Sequence, residues 1–458
     1  MIECVSPCRD PYKREIKMEN IDNLTPILKE GSEEVRLNVV ERLICSMNKE
    51  LDALANDSSY TVCIYRVSEK YRKSKEEAYT PRVVSIGPLH HGKSHLQAME
   101  AYKLRYLHSF RYRFGISVDK LITYASNKEG QIRGCYEDTS NFESEEFCRM
   151  ILLDGIFVVQ LFVKNLIQMR EPGDMLFENQ WMASDLMHDM LLLENQLPFN
   201  FILGLFNFVD GSRVHQKSFY ELSHDYFKGV GNTKNVKLTP SCEQSRHLVE
   251  FLVILHRPSS NRQQAPSGNG RCQYTRSASQ LHAAGVRFGH GMGELFEVSF
   301  NEKDGLLKLP QLTVNDKTET FFRNLIAFEQ CGHYEKHITS YIIFMDSLID
   351  TAEDVELLVD CEVIENLLGE NQQVADLFNN VYKEVIEEQK DFYFSEICNS
   401  LDDYSKDYIH EWNSAWFKWK LILKNEYFSN PWSFVAFMAA SAVILLTIVQ
   451  TVCSILGL

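Results

Sequence analysis

A mainly α-helical domain with a few short β-strands, followed by one membrane-spanning helix at the C-terminal end, is the fold this sequence predicts. Three observations predict it. Between Pro310 and Pro431 there is no proline, and apolar residues recur at helical spacing, as in Val374, Leu377, Phe378, Val381 and Val385. β-like runs occur only at residues 61–67, 82–86 and 296–314, too few for a chain that alternates strands with helices. Residues 431–458, PWSFVAFMAASAVILLTIVQTVCSILGL, carry no charged side chain.

Composition narrows the function classes. The 458 residues suit one large domain or two closely packed ones, and 45% hydrophobic residues suffice to fill a core. With 63 acidic against 47 basic residues the formal charge is -16, which opposes the phosphate neutralisation that DNA or RNA binding requires. The 12 cysteines are scattered without Cys-x-x-Cys or zinc-ligand spacing, and the charged start MIECVSPCRDPYKREIKMEN lacks a signal peptide's apolar stretch. They read as mostly reduced thiols. Asn23-Leu-Thr25 and Asn56-Asp-Ser58 fit the glycosylation acceptor pattern, which is too loose to decide the compartment.

In chain order, residues 1–31 mix charges and turn formers and read as a flexible arm. The main domain then runs over 32–430. Ser32 offers an N-cap, Glu33 and Glu34 suit a helix start, and Leu37, Val40, Ile44, Met47 and Leu51 form an apolar stripe expected to pack on its own domain. Residues 150–169 and 181–208 are apolar enough for two buried helices. Asp154 and Lys164 in the first, and His188, Asp189 and Glu194 in the second, argue against bilayer spans. Residues 257–280, rich in Ser, Gly, Pro, Asn and Gln, read as a loop or disordered insertion. Thr351 with Asp354 is a capping-box variant that opens a helix.

The apolar end is a predicted transmembrane helix over 431–457. At about 1.5 Å per residue the stretch from Trp432 exceeds the roughly 30 Å of a bilayer's hydrocarbon core. Trp412, Trp416, Trp419 and Trp432 are four of the chain's five tryptophans, gathered where a membrane interface would lie. Lys418, Lys420 and Lys424 flank that side and nothing positive follows the span, so the large domain is expected to face the cytoplasm in a tail-anchored topology. The bilayer, at the plasma membrane or an endomembrane, is the expected lipid partner.

Gly87-x-x-x-x-Gly92-Lys93-Ser94 fits the phosphate-loop pattern, with Val83–Ile86 as a possible strand and Ser94–Phe110 as a helix bearing Met99, Tyr102, Tyr106 and Phe110. Asp154 or Asp346 could be nominated for magnesium. Against this, no series of alternating strands follows, Asp346 sits in a helical pattern, and Pro88 has no N–H to offer a phosphate. His90-His91 has no metal-ligand partner at a recognised spacing, so a polar turn is expected there. His188, Asp189 and Glu194 suit a satisfied buried network better than acid/base chemistry, with Glu194 expected further along the same helix. No Gly-x-Ser-x-Gly elbow occurs, and Gly289-His-Gly-Met-Gly293 departs from the dinucleotide fingerprint and follows no convincing strand. No cofactor or metal follows from any motif.

The block AYTPRVVSIGPLHHG, residues 78–92, resembles the signature of plant proteins carrying domain of unknown function 247. So do Met99-Glu100 with Lys103, Asp154-Gly-Ile-Phe157, LLLENQLPF at 191–199, Gly285-Val-Arg-Phe288, RNLIAFEQC at 323–331 and Asn430-Pro-Trp432. The resemblance covers roughly residues 35–458. Lys93 and Ser94 are not part of the family pattern, so the phosphate-loop string looks like an accidental completion. Ser68 departs from the proline usual there. The resemblance implies a largely helical plant protein with a C-terminal membrane helix and no established enzymatic activity; some grass members are associated with self-incompatibility. The expectation is a non-catalytic, membrane-anchored recognition or signalling protein with an unidentified protein partner. The alternatives are a membrane-tethered nucleotide-binding enzyme using Gly87, Gly92, Lys93 and Ser94, and an extracellular-facing receptor of opposite topology.

Overall fold

The computed structural model describes residues 40, 42–48, 62–139, 141–167, 174–209, 216–258, 275–332, 334–381, 383, 392–406 and 431–456. The chain divides into two compact units, Met1–Ser59 and Tyr60–Leu458. In the first, residues 42–48 are helical, and Val40, Leu43, Ile44 and Met47 are all more than half exposed. Of the expected stripe, Val40, Ile44 and Met47 are the described residues. Leu37, Leu51, the Ser32 cap, the arm over 1–31, Asn23 and Asn56 lie outside the described residues.

The second unit is mainly helical. It runs α1 (Glu69–Ser74), a 3₁₀ turn (Glu76–Tyr79), α2 (Ala98–Phe114), α3 (Val118–Arg133), α4 (Ser144–Ile167), α5 (Met175–Glu178), α6 (Gln180–Met190), α7 (Phe199–Phe206), α8 (Phe219–Phe227) and α9 (Leu248–Leu255). After α10 (Ala278–Ala283) come β1 (Arg287–Gly291), β2 (Ser299–Asn301), β3 (Leu306–Pro310) and β4 (Leu312–Val314). The remainder is α11 (Thr318–Gln330), α12 (His337–Leu348), α13 (Ala352–Asp360), β5 (Ile364–Asn366), α14 (Asn371–Val381), α15 (Ser395–Lys406) and α16 (Pro431–Leu456).

Helix α4 is the axis of the domain's N-terminal half, with α2, α3, α7 and α8 packed around it. Its apolar residues face every direction because neighbours cover every side. At 24 residues it is long and apolar enough to cross a bilayer, contrary to the expectation that polar residues would disqualify it; what excludes that role is that 83% of its most apolar stretch is buried in the domain. Its polar residues have partners: the Lys164 ammonium pairs with Asp174 at 2.7 Å.

The helix expected over 181–208 is broken. Helix α6 stops at Met190 and α7 begins at Phe199, because Pro198 disfavours helical backbone at the preceding residue and two side chains take over the exposed carbonyls. Asn195 Nδ2 donates to Asp189 O, and Gln196 Nε2 donates to Met190 O and Leu192 O, at 2.8–3.1 Å. Glu194 therefore lies in this connection and not on a helix.

Of the three β-like runs, only 296–314 forms strands. Residues 61–67 contribute a single parallel bridge, Ile64 to Tyr136. Residues 82–86 form no strand, because the N–H groups of Arg82, Val83, Val84 and Ile86 bond to side chains. The small sheet has the order β1-β3-β2, with β1 parallel and β2 antiparallel to β3; β4 and β5 pair in parallel separately. Gly289–Gly291 thus belong to a strand, which the sequence reading did not find. Within 257–280, residues 278–280 open α10, while 259–274 lie outside the described residues. The Thr351 capping box is present, with the Asp354 carboxylate accepting from Thr351 N at 2.9 Å, and Val374, Leu377, Phe378 and Val381 are buried on α14.

The helix expected over 431–457 is present as α16, 26 residues long. Its described side chains, at 438–440 and 442–451, are all exposed. Trp432 falls in its first turn, whereas Trp412, Trp416, Trp419, Lys418, Lys420 and Lys424 lie outside the described residues.

Candidate functional site

From an exposed Arg82 the segment passes into the interior at Val84 and turns at Gly87, and polar side chains stand where a sheet would supply carbonyls. Asp189, on the last turn of α6, accepts from Arg82 N at 2.8 Å, Val83 N at 2.7 Å and Val84 N at 2.8 Å. Asn195 continues the pairing: its Oδ1 accepts from Ile86 N at 2.7 Å and its Nδ2 donates to Val84 O at 3.0 Å. Asp154, from α4, accepts from Gly87 N at 2.8 Å. Each carboxylate is fully buried, so each bond replaces water that the segment has lost.

Two cations complete the hub. Lys103, from α2 and fully buried, places Nζ 2.5 Å from Asp154 Oδ1, 2.6 Å from Glu100 and 2.6 Å from Ser85 O. Burial works against its charge, but Asp154 and Glu100 outweigh that and hold its pKa above the ordinary lysine range. Glu194 accepts from Val67 N and Arg72 Nη2, both at 2.6 Å, and His90 Nε2 lies 3.0 Å from its other oxygen. Burial opposes the Glu194 charge too, yet His90 and Arg72 keep its carboxyl below the usual range. Burial pushes the pKa of the His90 ring down despite Glu194.

This geometry differs from a phosphate cradle. Gly87 and Gly92 both have left-handed backbones, φ 75° and 81°, as two successive tight turns require. The Gly87 amide, which a phosphate would need, already faces the Asp154 carboxylate. The amides of His91 and Lys93 turn inward to Pro88 O and His90 O. A 3₁₀ turn at Ser94–Leu96 precedes α2, in place of a helix starting directly at the loop. Lys93 is half-buried, and burial and Arg72 hold its pKa down. Of the nominated magnesium ligands, Asp154 is committed to Lys103 and Gly87, while Asp346 lies in α12, its carboxyl pushed up to about 6 by burial and Asp350.

His188, Asp189 and Glu194 do not converge. His188 Nδ1 meets Asp189 at 3.1 Å, and Glu194 belongs to the Arg72–His90 group. His90 and His91 diverge as well, since His91 packs edge-on against Phe142. Among the described residues no three His, Cys, Asp or Glu side chains stand close enough together to hold a metal ion.

Outside the hub, the same segment lines a shallow cleft of about 460 Å³ with α6 and the start of α11. Trp181 stands in it 61% exposed. Around it lie Lys75, Arg82 and four carboxylates, Glu77, Asp185, Asp316 and Glu319. Arg82 pairs with Asp185 at 2.9 Å and Lys75 with Glu319 at 3.6 Å, whereas Glu77 and Asp316 have no ion pair among the described residues. The cleft is thus net acidic with an uncovered indole. Sequence reasoning missed it because it placed Trp181 at the start of a buried helix over 181–208, whereas the indole is exposed. The available signal was Trp181, Ser184 and Asp185 at i, i+3 and i+4, a polar face carrying that tryptophan.

The model of the family described as plant protein of unknown function, DUF247, matches residues 64–446. Two Arabidopsis thaliana proteins are similar over most of their length. UPF0481 protein At3g47200 is 28% identical over 422 residues, covering 86% of each chain, and UPF0481 protein At3g02645 is 23% identical over 511, covering 89% of this chain and 94% of its own. No solved structure matches. With the matched region spanning the hub, the cleft and most of α16, the chain belongs to the plant family of the domain of unknown function 247.

Proposed function

We propose that this protein is a membrane-anchored, non-catalytic recognition protein whose cleft around Trp181 receives a partner segment bearing arginine or lysine. The exposed indole carries this reading. Tryptophan is costly to leave in water and favoured at the centre of interfaces. Its ring offers a face to a cation, and Glu77 and Asp316 offer unpaired charge beside it. The hub supports the role by tying Arg82 to Asp189 of α6, which joins two walls of the cleft.

The anchor rests on α16. At about 1.5 Å per residue its 26 residues reach roughly 39 Å, and its described apolar side chains have no cover. Lys418, Lys420 and Lys424 before it favour a cytoplasmic domain. Flotation with lipid vesicles tests the anchor: the full chain should rise with the vesicles and residues 1–427 should stay in the dense fraction. Flotation of the shortened chain would overturn α16 as the anchor.

A further inference from the structure

Two thiols meet where the chain enters the domain. Cys63 N and Ile64 N both donate to Cys135 O at 3.0 Å, and Ile64 bridges Tyr136 in parallel, so Cys63 and Cys135 are neighbours across a paired backbone. Paired strands run about 4.8 Å apart, inside the roughly 4.4–6.8 Å that the α-carbons of a disulfide span. Cys135 Sγ itself donates to Gln131 O at 3.3 Å. Both are free thiols.

The pair is asymmetric in the way a sensor needs. Cys63 is 1% exposed and Cys135 is half-buried. The neighbouring Cys63 thiol pulls Cys135 below its ordinary pKa against the effect of burial, with Arg246 assisting, while Cys63 is pushed far up. Cys148, Cys331 and Cys361 are all pushed up by burial. The thiolate is the reacting form, so the reachable thiol is also the reactive one, and its neighbour keeps a proton to deliver.

We propose that Cys63 and Cys135 form a peroxide-oxidisable thiol pair, with Cys135 as the attacking sulfur and Cys63 as the resolving one. The Cys135 thiolate attacks one oxygen of hydrogen peroxide: an S–O bond forms, the O–O bond breaks, and the departing hydroxide takes up the released proton as water. Cys63 sulfur then attacks the Cys135 sulfenic acid. The S–S bond forms, the S–O bond breaks, and the hydroxide leaves as water with the Cys63 proton. Two thiols and one peroxide give one disulfide and two waters, and a dithiol reductant reverses the step by exchange.

The bond would close a covalent loop around the entire hub segment. On the Cys63 side, Val67 N in the same entry segment donates to Glu194 at 2.6 Å. On the Cys135 side, Tyr136 donates its hydroxyl to Gln196 O at 2.8 Å, beside Gly87. Oxidation therefore fastens the domain's entry segment to the floor of the hub. This inference is independent of the recognition reading.

The test is a peroxide pulse on the full chain in detergent micelles, followed by alkylation and non-reducing peptide mapping. The expected result is a Cys63–Cys135 linked peptide that dithiothreitol abolishes. Cys135 should react faster than Cys148, whose thiol burial pushes up. Cys63→Ser should accumulate Cys135 as a sulfenic acid captured by dimedone. Should that variant fail to fold, the wild-type map still decides, because it reads the bond directly. Absence of the linked peptide, or preferential pairing of other cysteines, overturns the proposal.

Discussion

Replacing Asp189 by asparagine removes one acceptor oxygen from the centre of the hub. The carboxylate receives three backbone N–H groups, two at Oδ2 and one at Oδ1, in a fully buried position. An asparagine can keep its oxygen toward Val83 and Val84 only by turning its NH₂ toward Arg82 N, which leaves a donor facing a donor. The orphaned N–H costs about 1–3 kcal/mol, and loss of charge weakens each retained bond by about 1 kcal/mol, so the variant should lose about 3–5 kcal/mol. Denaturant titration of the full chain in detergent, followed by circular dichroism, reads the change as a shift in midpoint at constant slope. A loss below about 1 kcal/mol would refute the reasoning, since it would mean that water or other groups satisfy the segment as well as Asp189 does.

The two loop glycines should separate. Gly87→Ala adds a Cβ 2.6 Å from Gln196 O and should cost about 3 kcal/mol or more by the same titration, whereas Gly92→Ala has open space and should cost only the ~1–2 kcal/mol of a left-handed backbone. Calorimetric titration of ATP and GTP with magnesium into the full chain and Lys93→Ala should give no saturable heat in either; binding that the variant abolishes would restore the nucleotide reading. Glu329 caps α12, accepting from Ile338 N, Thr339 N and Thr339 Oγ1, and burial pushes its carboxyl up to about 7 despite these bonds. Because the folded pKa lies above the unfolded 4.5, its stabilising contribution is complete below that value and is lost as pH rises through 7, by about 3 kcal/mol. Stability measured across pH 5 to 8 should fall in the parent, and Glu329→Gln should remove that part of the slope.

Helices were legible wherever burial followed a local period. The spacing of Val374, Leu377, Phe378 and Val381 marked α14, and the Thr351–Asp354 pair marked the start of α13. The hub was not legible because its bonds join residues about a hundred positions apart and leave no period behind. Val83 to Ile86 reads as a strand since its side chains suit one, yet its partners are Asp189 and Asn195. The break at Leu191 to Pro198 was hidden for the same reason: three leucines look helical until Asn195 and Gln196 are seen to cap the carbonyls. Helix α4 shows the limit of composition, because core and bilayer select the same residues over the same length. The cysteine pair was invisible because Cys63 and Cys135 meet only through backbone pairing of two remote segments.

The recognition reading is tested most directly by a photo-crosslinking residue at position 181 in the full chain, irradiated on plant membranes. One discrete adduct is expected, competed by excess unmodified chain and not by a chain carrying Glu77→Lys and Asp316→Lys. An adduct that both chains compete equally, or none at all, would contradict a partner held at this cleft by its positive charge.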